Sequence, residues 1–219
     1  MCSRFFVPQP MDSPEELLAV CHAAEVRRQK TDPGFALPGG EIFPGMWAAV
    51  VAPDKCRVPA AYAMRWGFVM QKAPAPYQQL SLPGIPDPKP REKLLFNVRS
   101  EGAGIRPLFA DSFATRRCLI PCAGYFEWDH RLSPPPKLRF FWKDEPILWL
   151  GGIYRVIGEK VSFAVLTMDA QPSIAAYHPR MPVMIPAALH EAWLDARIPP
   201  QEILRQVGVH AGLVARPAS

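Results

Sequence analysis

The second residue of this chain is a cysteine, a position that gives it chemistry an internal cysteine lacks. Loss of Met1 ahead of the small Cys2 leaves an α-amine and a thiol on adjacent carbons. The amine titrates near ~8 and the thiol near ~8.5, so both serve as nucleophiles close to neutrality. A 1,2-aminothiol of this kind is matched to an aldehyde: the amine condenses to an imine, and the neighbouring sulfur closes a five-membered thiazolidine, favoured by proximity. With Met1 retained, Cys2 reads instead as a small buried hydrophobe.

Three further segments carry groups able to move protons or hold an anion. Glu127 stands in the apolar run Tyr125-Phe126-Glu127-Trp128. Turned inward, its carboxyl is raised by desolvation towards the range of a general acid or base; turned outward by strand alternation, it is a surface carboxylate. His178 lies in Tyr177-His178-Pro179-Arg180-Met181-Pro182, where prolines on both sides of Arg180 hold the backbone extended and keep His178 out of a helix. A rigid loop histidine suits proton transfer, and a structural or surface role accounts for it as well. Asn97-Val98-Arg99, at a strand end, puts Asn97 and Arg99 on one face, a neutral and a cationic donor that together suit a phosphate. An ion pair from Arg99 to Glu101 or Asp111 explains the cation equally. Cys118 and Cys122 are four apart in a strand pattern, without the further Cys or His of a metal site. They read as core cysteines, and no metal or cofactor is expected.

Positioning these groups falls to short elements. Residues 3–7 read as a strand. Ser13-Pro14-Glu15-Glu16 opens a helix, with Ser13 as cap, Pro14 in the first turn and Glu16 closing a capping box. Leu17, Val20, Cys21 and Ala24 give that helix one apolar face, and Thr31-Asp32-Pro33-Gly34 stops it. Residues 46–52, 61–70, 94–98, 118–128, 138–142, 147–154 and 161–167 are runs rich in Val, Ile, Phe, Tyr and Trp that predict strands. Arg106-Pro107 and Pro186 mark later helix starts. The expected fold class is α+β, a single domain over residues 1–219 with a mixed, curved, barrel-like β-sheet flanked by short helices. Ser133-Pro134-Pro135-Pro136 reads as a hairpin tip, and the proline-dense residues 73–91 as a long functional or mobile loop.

Composition narrows the functional classes. Hydrophobic residues make up 49% of the 219-residue chain, enough for one sizeable core. Its 27 prolines each remove a helix or ladder donor, which excludes helical bundles and coiled coils. No apolar run approaches the ~20 residues of a membrane span, and Asp12, Glu15 and Glu16 fall where a signal peptide is apolar, so a soluble, cytoplasmic protein is expected. Five cysteines without a paired framework fit reduced thiols. A net charge of +5 permits an anionic partner such as nucleic acid.

Taken in order, Met1-Cys2-Ser3-Arg4-Phe5, Arg65-Trp66-Gly67, Asn97-Val98-Arg99-Ser100-Glu101, Gly124-Tyr125-Phe126-Glu127-Trp128 and His178-Pro179-Arg180-Met181-Pro182 resemble the SOS-response-associated peptidase family of abasic-site processing proteins. The resemblance runs from residue 2 to about residue 194. It implies an enzyme whose Cys2, exposed by loss of Met1, bonds to the ring-opened aldehyde of an abasic site in single-stranded DNA and so forms a DNA-protein cross-link. Autopeptidase release of Met1 is implied with it. Carried over by motif, Cys2 is the nucleophile, Asn97 lies beside the sugar, and Glu127 and His178 manage protons. Arg4, Arg99 and Arg180 become phosphate contacts, and Trp66 a stacking surface. The implied partner is single-stranded DNA containing abasic sites, with no cofactor, no membrane and no obligatory protein partner.

The chain departs from the family at three places. Ser3 stands where glycine is usual, Glu41-Ile42-Phe43 where an asparagine is usual, and the stretch after Val214-Ala215-Arg216 is short against the family's closing segment. An anion at Glu41 would repel phosphate. Two other functions use the same residues. An N-terminal-nucleophile cysteine amidohydrolase would attack an amide with the Cys2 thiol, its own α-amine acting as base, and would need an oxyanion hole for which the sequence carries no specific signal. A non-catalytic single-stranded nucleic-acid-binding module would use Trp66 and the arginines and leave Cys2 idle.

Overall fold

Prolines and glycines punctuate the apolar runs so closely that strands range from three to ten residues. The computed structural model describes residues 3–70, 93–208 and 212–218. In chain order these form β1 (Phe5–Val7), α1 (Glu15–Gln29), β2 (Gly40–Ile42), β3 (Trp47–Pro53), β4 (Pro59–Trp66), β5 (Phe68–Met70), β6 (Lys93–Leu95) and β7 (Asn97–Arg99). There follow α2 (Ser100–Ala103), α3 (Pro107–Thr115), β8 (Arg117–Cys122), β9 (Gly124–Trp128), β10 (Lys137–Trp142), β11 (Leu148–Ile157) and β12 (Lys160–Asp169). The chain closes with α4 (Pro172–Ala175), β13 (Arg180–Pro182), α5 (His190–Leu194), α6 (Pro200–Leu204) and β14 (Leu213–Pro217).

β11, β8, β3, β4 and β12 pair in that order, and β12 returns to β11, so five strands close into a barrel. The ring is antiparallel except where β4 meets β12 in parallel, at Arg65↔Ser162 and Trp66↔Phe163. Further along, β12 also carries β7 in parallel and β13 antiparallel. A second, antiparallel sheet runs β14-β10-β9-β1-β2. Its residues Phe5, Ile42, Tyr125 and Phe140 share one buried cluster with Val50, Ile120, Leu150 and Phe163 of the barrel. Alternate residues of the barrel strands, Leu119, Ile153, Ala164 and Leu166, pack instead against Phe109, Phe113, Trp193 and Ile203 of α3, α5 and α6. The mixed, curved α+β sheet flanked by short helices is therefore the observed fold.

Several local expectations change. Ser13 does not cap α1: its hydroxyl donates to the carbonyls of Pro8 and Gln9 at 3.0 and 3.1 Å, and Pro14 takes the cap position without a side-chain bond. The run 61–70 divides at Gly67 and the run 118–128 at Ala123, where each strand changes partners. β2, β13 and β14 escape the hydrophobic pattern because they are short or carry a terminal proline. Cys118 and Cys122 are core residues, and burial pushes the Cys122 thiol up to about 12. The proline-dense loop at 73–91 lies outside the described residues. No described helix is long and apolar enough to cross a membrane.

One buried cation ties helices to the barrel. Arg117, 2% exposed, donates through Nε to the Trp193 carbonyl at 2.6 Å, through Nη1 to Ala114 at 2.7 Å and through Nη2 to Asp195 and Ile198. These carbonyls end α3 and α5 or follow them, so a planar fork supplies donors that the helix ends need. Lysine reaches the same place with a point charge and cannot span three segments. Arg117→Lys is expected to cost about 2 kcal/mol, read as a lower urea midpoint at unchanged slope. An unchanged midpoint would show that these carbonyls find other donors.

Candidate active site

The site is assembled on β9, the loop before β13, and the β7-α2 junction. β1 pairs antiparallel with β9, at Phe5↔Tyr125 and Phe6↔Gly124, and the Phe126 N–H donates to the Arg4 carbonyl at 2.9 Å. The register carries the chain ahead of Phe5 alongside Phe126 and Glu127. Glu127 shares its face with Tyr125 and stands opposite the core residue Leu138, which settles the alternation: it points inward and is 5% exposed. Burial pushes its carboxyl above the ordinary range, and nearby His178 and His130 pull the other way.

His178 follows α4 in an extended turn. Its Nδ1 lies 2.9 Å from both the backbone nitrogen and the carbonyl oxygen of Arg180, which fixes the ring against the backbone that follows it. Tyr177 meets Phe140 edge-on at 5.5 Å, and Phe140 stacks on Tyr125 at 5.1 Å. One aromatic stack thus joins the histidine loop to the strand that carries Glu127. Arg131 lies 4.5 Å over the Tyr177 ring and is held by a two-pronged bond to Asp129, both contacts 2.7 Å. That Asp-x-Arg brace carries no signal of its own in the sequence; opposite charges two residues apart in a polar loop are too common a pattern.

Arg180 is where sequence and structure part. Its guanidinium is 10% exposed and bound two-pronged by Glu101 at 2.8 and 2.9 Å, with further bonds to Asp169 and to the Thr167 carbonyl. The same bond holds the Glu101 carboxyl below its ordinary value. A buried arginine with two carboxylates does not present itself to a phosphate, so the expected phosphate contact becomes a brace for the His178 turn. The brace also ties the β7-α2 junction to β13. β7 and β13 both pair with β12, at Arg99↔Thr167 and Pro182↔Thr167, and Glu101 crosses from α2 to Arg180. Asn97 is half-buried at the start of β7, and Arg99 is exposed at its end. The alternative pairing of Arg99 with Glu101 or Asp111 is not formed: these carboxylates bind Arg180 and Arg116.

Trp66 is also corrected. It is wholly buried, stacked on Phe163 at 6.1 Å and tilted against Phe5 at 4.9 Å, and its Nε1 donates to the Phe96 carbonyl at 2.9 Å. Neither ring face reaches a nucleobase. Trp66→Phe keeps the stacking and loses the donor, so it is expected to lower stability by about 1–2 kcal/mol in urea unfolding while single-strand affinity stays at the parental value. A large loss of affinity with stability intact would restore the stacking role. Arg4 lies 5.3 Å over the Trp128 ring and bonds Glu41 at 2.9 Å, and Lys137 binds the other Glu41 oxygen. The anion expected to repel phosphate is therefore neutralised on both sides, and the Lys137 bond holds its carboxyl low. Cys2 lies outside the described residues.

Among known proteins, the SOS response associated peptidase (SRAP) family model matches residues 1–215. An abasic site processing protein of Bacillus subtilis (strain 168), YobE, is 25% identical over 141 residues, which cover 61% of this chain and 58% of that protein. A second from the same organism, YoqW, is 24% identical over 61% of this chain and 57% of its own length. The chain thus matches under three fifths of the length of these relatives. Crystal structures of proteins from Bordetella bronchiseptica (22% identical, TM-score 0.69, all of both chains covered) and Bacteroides thetaiotaomicron (18%, 0.69, all of this chain and 92% of the other) share the fold.

Proposed function

The chain belongs to the SOS response associated peptidase family, and on that premise we propose that it processes abasic sites in single-stranded DNA through Cys2. Met1 is removed, by the protein itself or otherwise, and the freed α-amine adds to the C1′ aldehyde of the ring-opened sugar. The carbinolamine loses its hydroxyl as water when a neighbouring acid supplies a proton, leaving an imine. The Cys2 thiol then adds across the C=N bond, sulfur to carbon and proton to nitrogen, and a thiazolidine links protein to DNA. One water leaves, and nothing is oxidised or reduced.

The observation that carries this reading is a buried, raised carboxyl, Glu127, beside His178, on the strand against which Phe5 and Phe6 are paired. A desolvated carboxyl retains its proton at higher pH than a surface one, as opening the sugar and expelling water both require. Asn97 would hold the sugar hydroxyls, and Arg4 and Arg99 the flanking phosphates. The direct test is a denaturing gel of the protein incubated with a strand carrying one abasic site. A shifted band is expected, and a strand with a tetrahydrofuran in place of the abasic sugar, which has no aldehyde, should give none. Equal shifts with both strands, or none with either, would overturn the reading.

A further inference from the structure

Strand alternation gives the second sheet an outer face that the candidate active site meets at Arg4 alone and that extends well beyond it. Tyr125, Phe140 and Leu213 on one side are core. Phe126, Arg139, Phe141 and Arg216 therefore point the other way, and the register places Arg139 directly between Phe126 and Arg216. Cations on this face lie against rings: Arg139 at 4.4 Å from the Phe6 centre and 5.6 Å from Phe141, Arg216 at 5.3 Å from Phe141, Lys137 at 4.2 Å from Phe126. Gly124 makes this arrangement possible. A Cβ there would stand 2.6 Å from the Phe140 carbonyl oxygen and 3.0 Å from Arg139 Nε, so only glycine lets Arg139 lie across the sheet and donate to the Ala123 carbonyl at 2.9 Å.

The result is a hollow of about 340 Å³ with two arginines in its lining. Among the described residues its carboxylate is Glu41, which Arg4 and Lys137 already neutralise. Arg139 and Arg216 face each other across the strands, and like charges so placed repel. Arg139 Nε is buried with no hydrogen-bond partner. Such an arrangement is costly in the absence of an anion and is relieved by one.

Cations interleaved with rings on an open sheet match a single nucleic-acid strand, whose phosphates take the guanidinium groups and whose unpaired bases stack on rings and guanidinium planes. A free phosphate has no use for the rings, and a duplex offers no unstacked base. The face is also continuous with the site, because Trp128, next to Glu127, lies under Arg4 on the same sheet. We infer that the outer face of the β14-β10-β9-β1-β2 sheet is a path for single-stranded DNA flanking the abasic site, with Arg139 and Arg216 holding phosphates between Phe6 and Phe141. The identity of the strand rests on the abasic-site reading; the anion-binding chemistry of the face does not.

The test measures anisotropy of intact labelled oligothymidylates, about 6 and about 20 nucleotides long, against salt. Arg139→Gln with Arg216→Gln should weaken the longer strand about tenfold and reduce the magnitude of its log-log salt slope by about 1.4, two phosphates at ~0.7 each. The shorter strand, and cross-linking of a short abasic strand, should keep parental values. Arg216→Gln alone, at an exposed position, should lower the slope by about 0.7 and so carries the test if the double variant folds poorly. Parental affinity and slope on the longer strand in both variants would overturn the path. So would displacement of that strand by millimolar inorganic phosphate beyond the effect of chloride at equal ionic strength, which marks a small-anion pocket. If the parent fails to cross-link yet shows the Arg139- and Arg216-dependent slope, the path stands and the abasic-site reading falls.

Discussion

Cys2→Ala is expected to reduce the adduct with an abasic strand to nothing on a denaturing gel, while non-covalent affinity for the strand stays within a few fold of the parent. The expectation follows from what each nucleophile contributes. With Met1 removed, the Cys2→Ala protein still presents an α-amine that condenses with the aldehyde, but an imine hydrolyses when the complex is denatured. The thiol changes the outcome by adding to the imine carbon, so that release requires a carbon-sulfur bond to break first. Borohydride separates the two steps: it should trap the Cys2→Ala protein, its Met1 removed, on the strand as a stable secondary amine. Intact-mass measurement of the parental protein checks the premise, since a mass that includes Met1 on cross-linking protein would place the amine elsewhere. An adduct formed by Cys2→Ala without borohydride would move the nucleophile to another residue. Affinity should survive because the proposed phosphate contacts, Arg4 and Arg99, are cations that the substitution leaves in place.

The periods and punctuation of the chain are enough for the architecture. Runs such as 118–128 and 161–167 alternate between two buried clusters, as Leu119 against Ile120 and Phe163 against Ala164 show, and a sheet buried on both faces with short helices outside is what such runs make. Closure of β11 on β12 into a barrel is legible only as curvature, because pairing between distant strands leaves no local mark. The site divides along the same line. Glu127 and His178 stand out as chemical groups in unusual settings, an acid in an aromatic run and an imidazole just ahead of a proline, and the tyrosines near them, Tyr125 and Tyr177, meet in one aromatic stack through Phe140. Arg180 and Trp66 mislead because a motif gives residue type and not direction. Arginine beside a histidine loop reads as a phosphate ligand until Glu101, 79 residues away, is seen to hold it. Trp66 reads as a platform until Phe5 and Phe163 close over its faces. The Arg139-Arg216 pair lies beyond reach for the same reason, since it exists only through the β10-β14 register.

Glu127→Gln is expected to slow cross-linking by about 10²-fold with affinity nearly unchanged, the usual scale for loss of a positioned acid or base. The substitution keeps shape and hydrogen-bonding capacity and removes the transferable proton. Its pH signature has a definite sign. Burial raises the folded carboxyl above its ordinary value, so the acid form persists above the pH at which a surface glutamate ionises, and the parental rate should fall as pH rises through the folded value. In Glu127→Gln that limb should flatten. Stability should move with it: the folded state binds the proton more tightly than the unfolded chain, so ionisation above the unfolded carboxylate range of ~4.3 destabilises the parent, and the Gln variant is spared. The urea midpoint of the variant should therefore gain on the parent as pH rises from about 4 to about 8, and the two should converge in acid. A role confined to packing would alter stability and leave the rate limb in place. His178→Ala should slow the same reaction, and the double variant should lose less than the product of the single effects if both residues serve one proton transfer. Multiplicative losses would assign them to separate steps. A parental rate in Glu127→Gln across this pH range would leave the carboxyl a buried structural group and return the proton to His178 or to water.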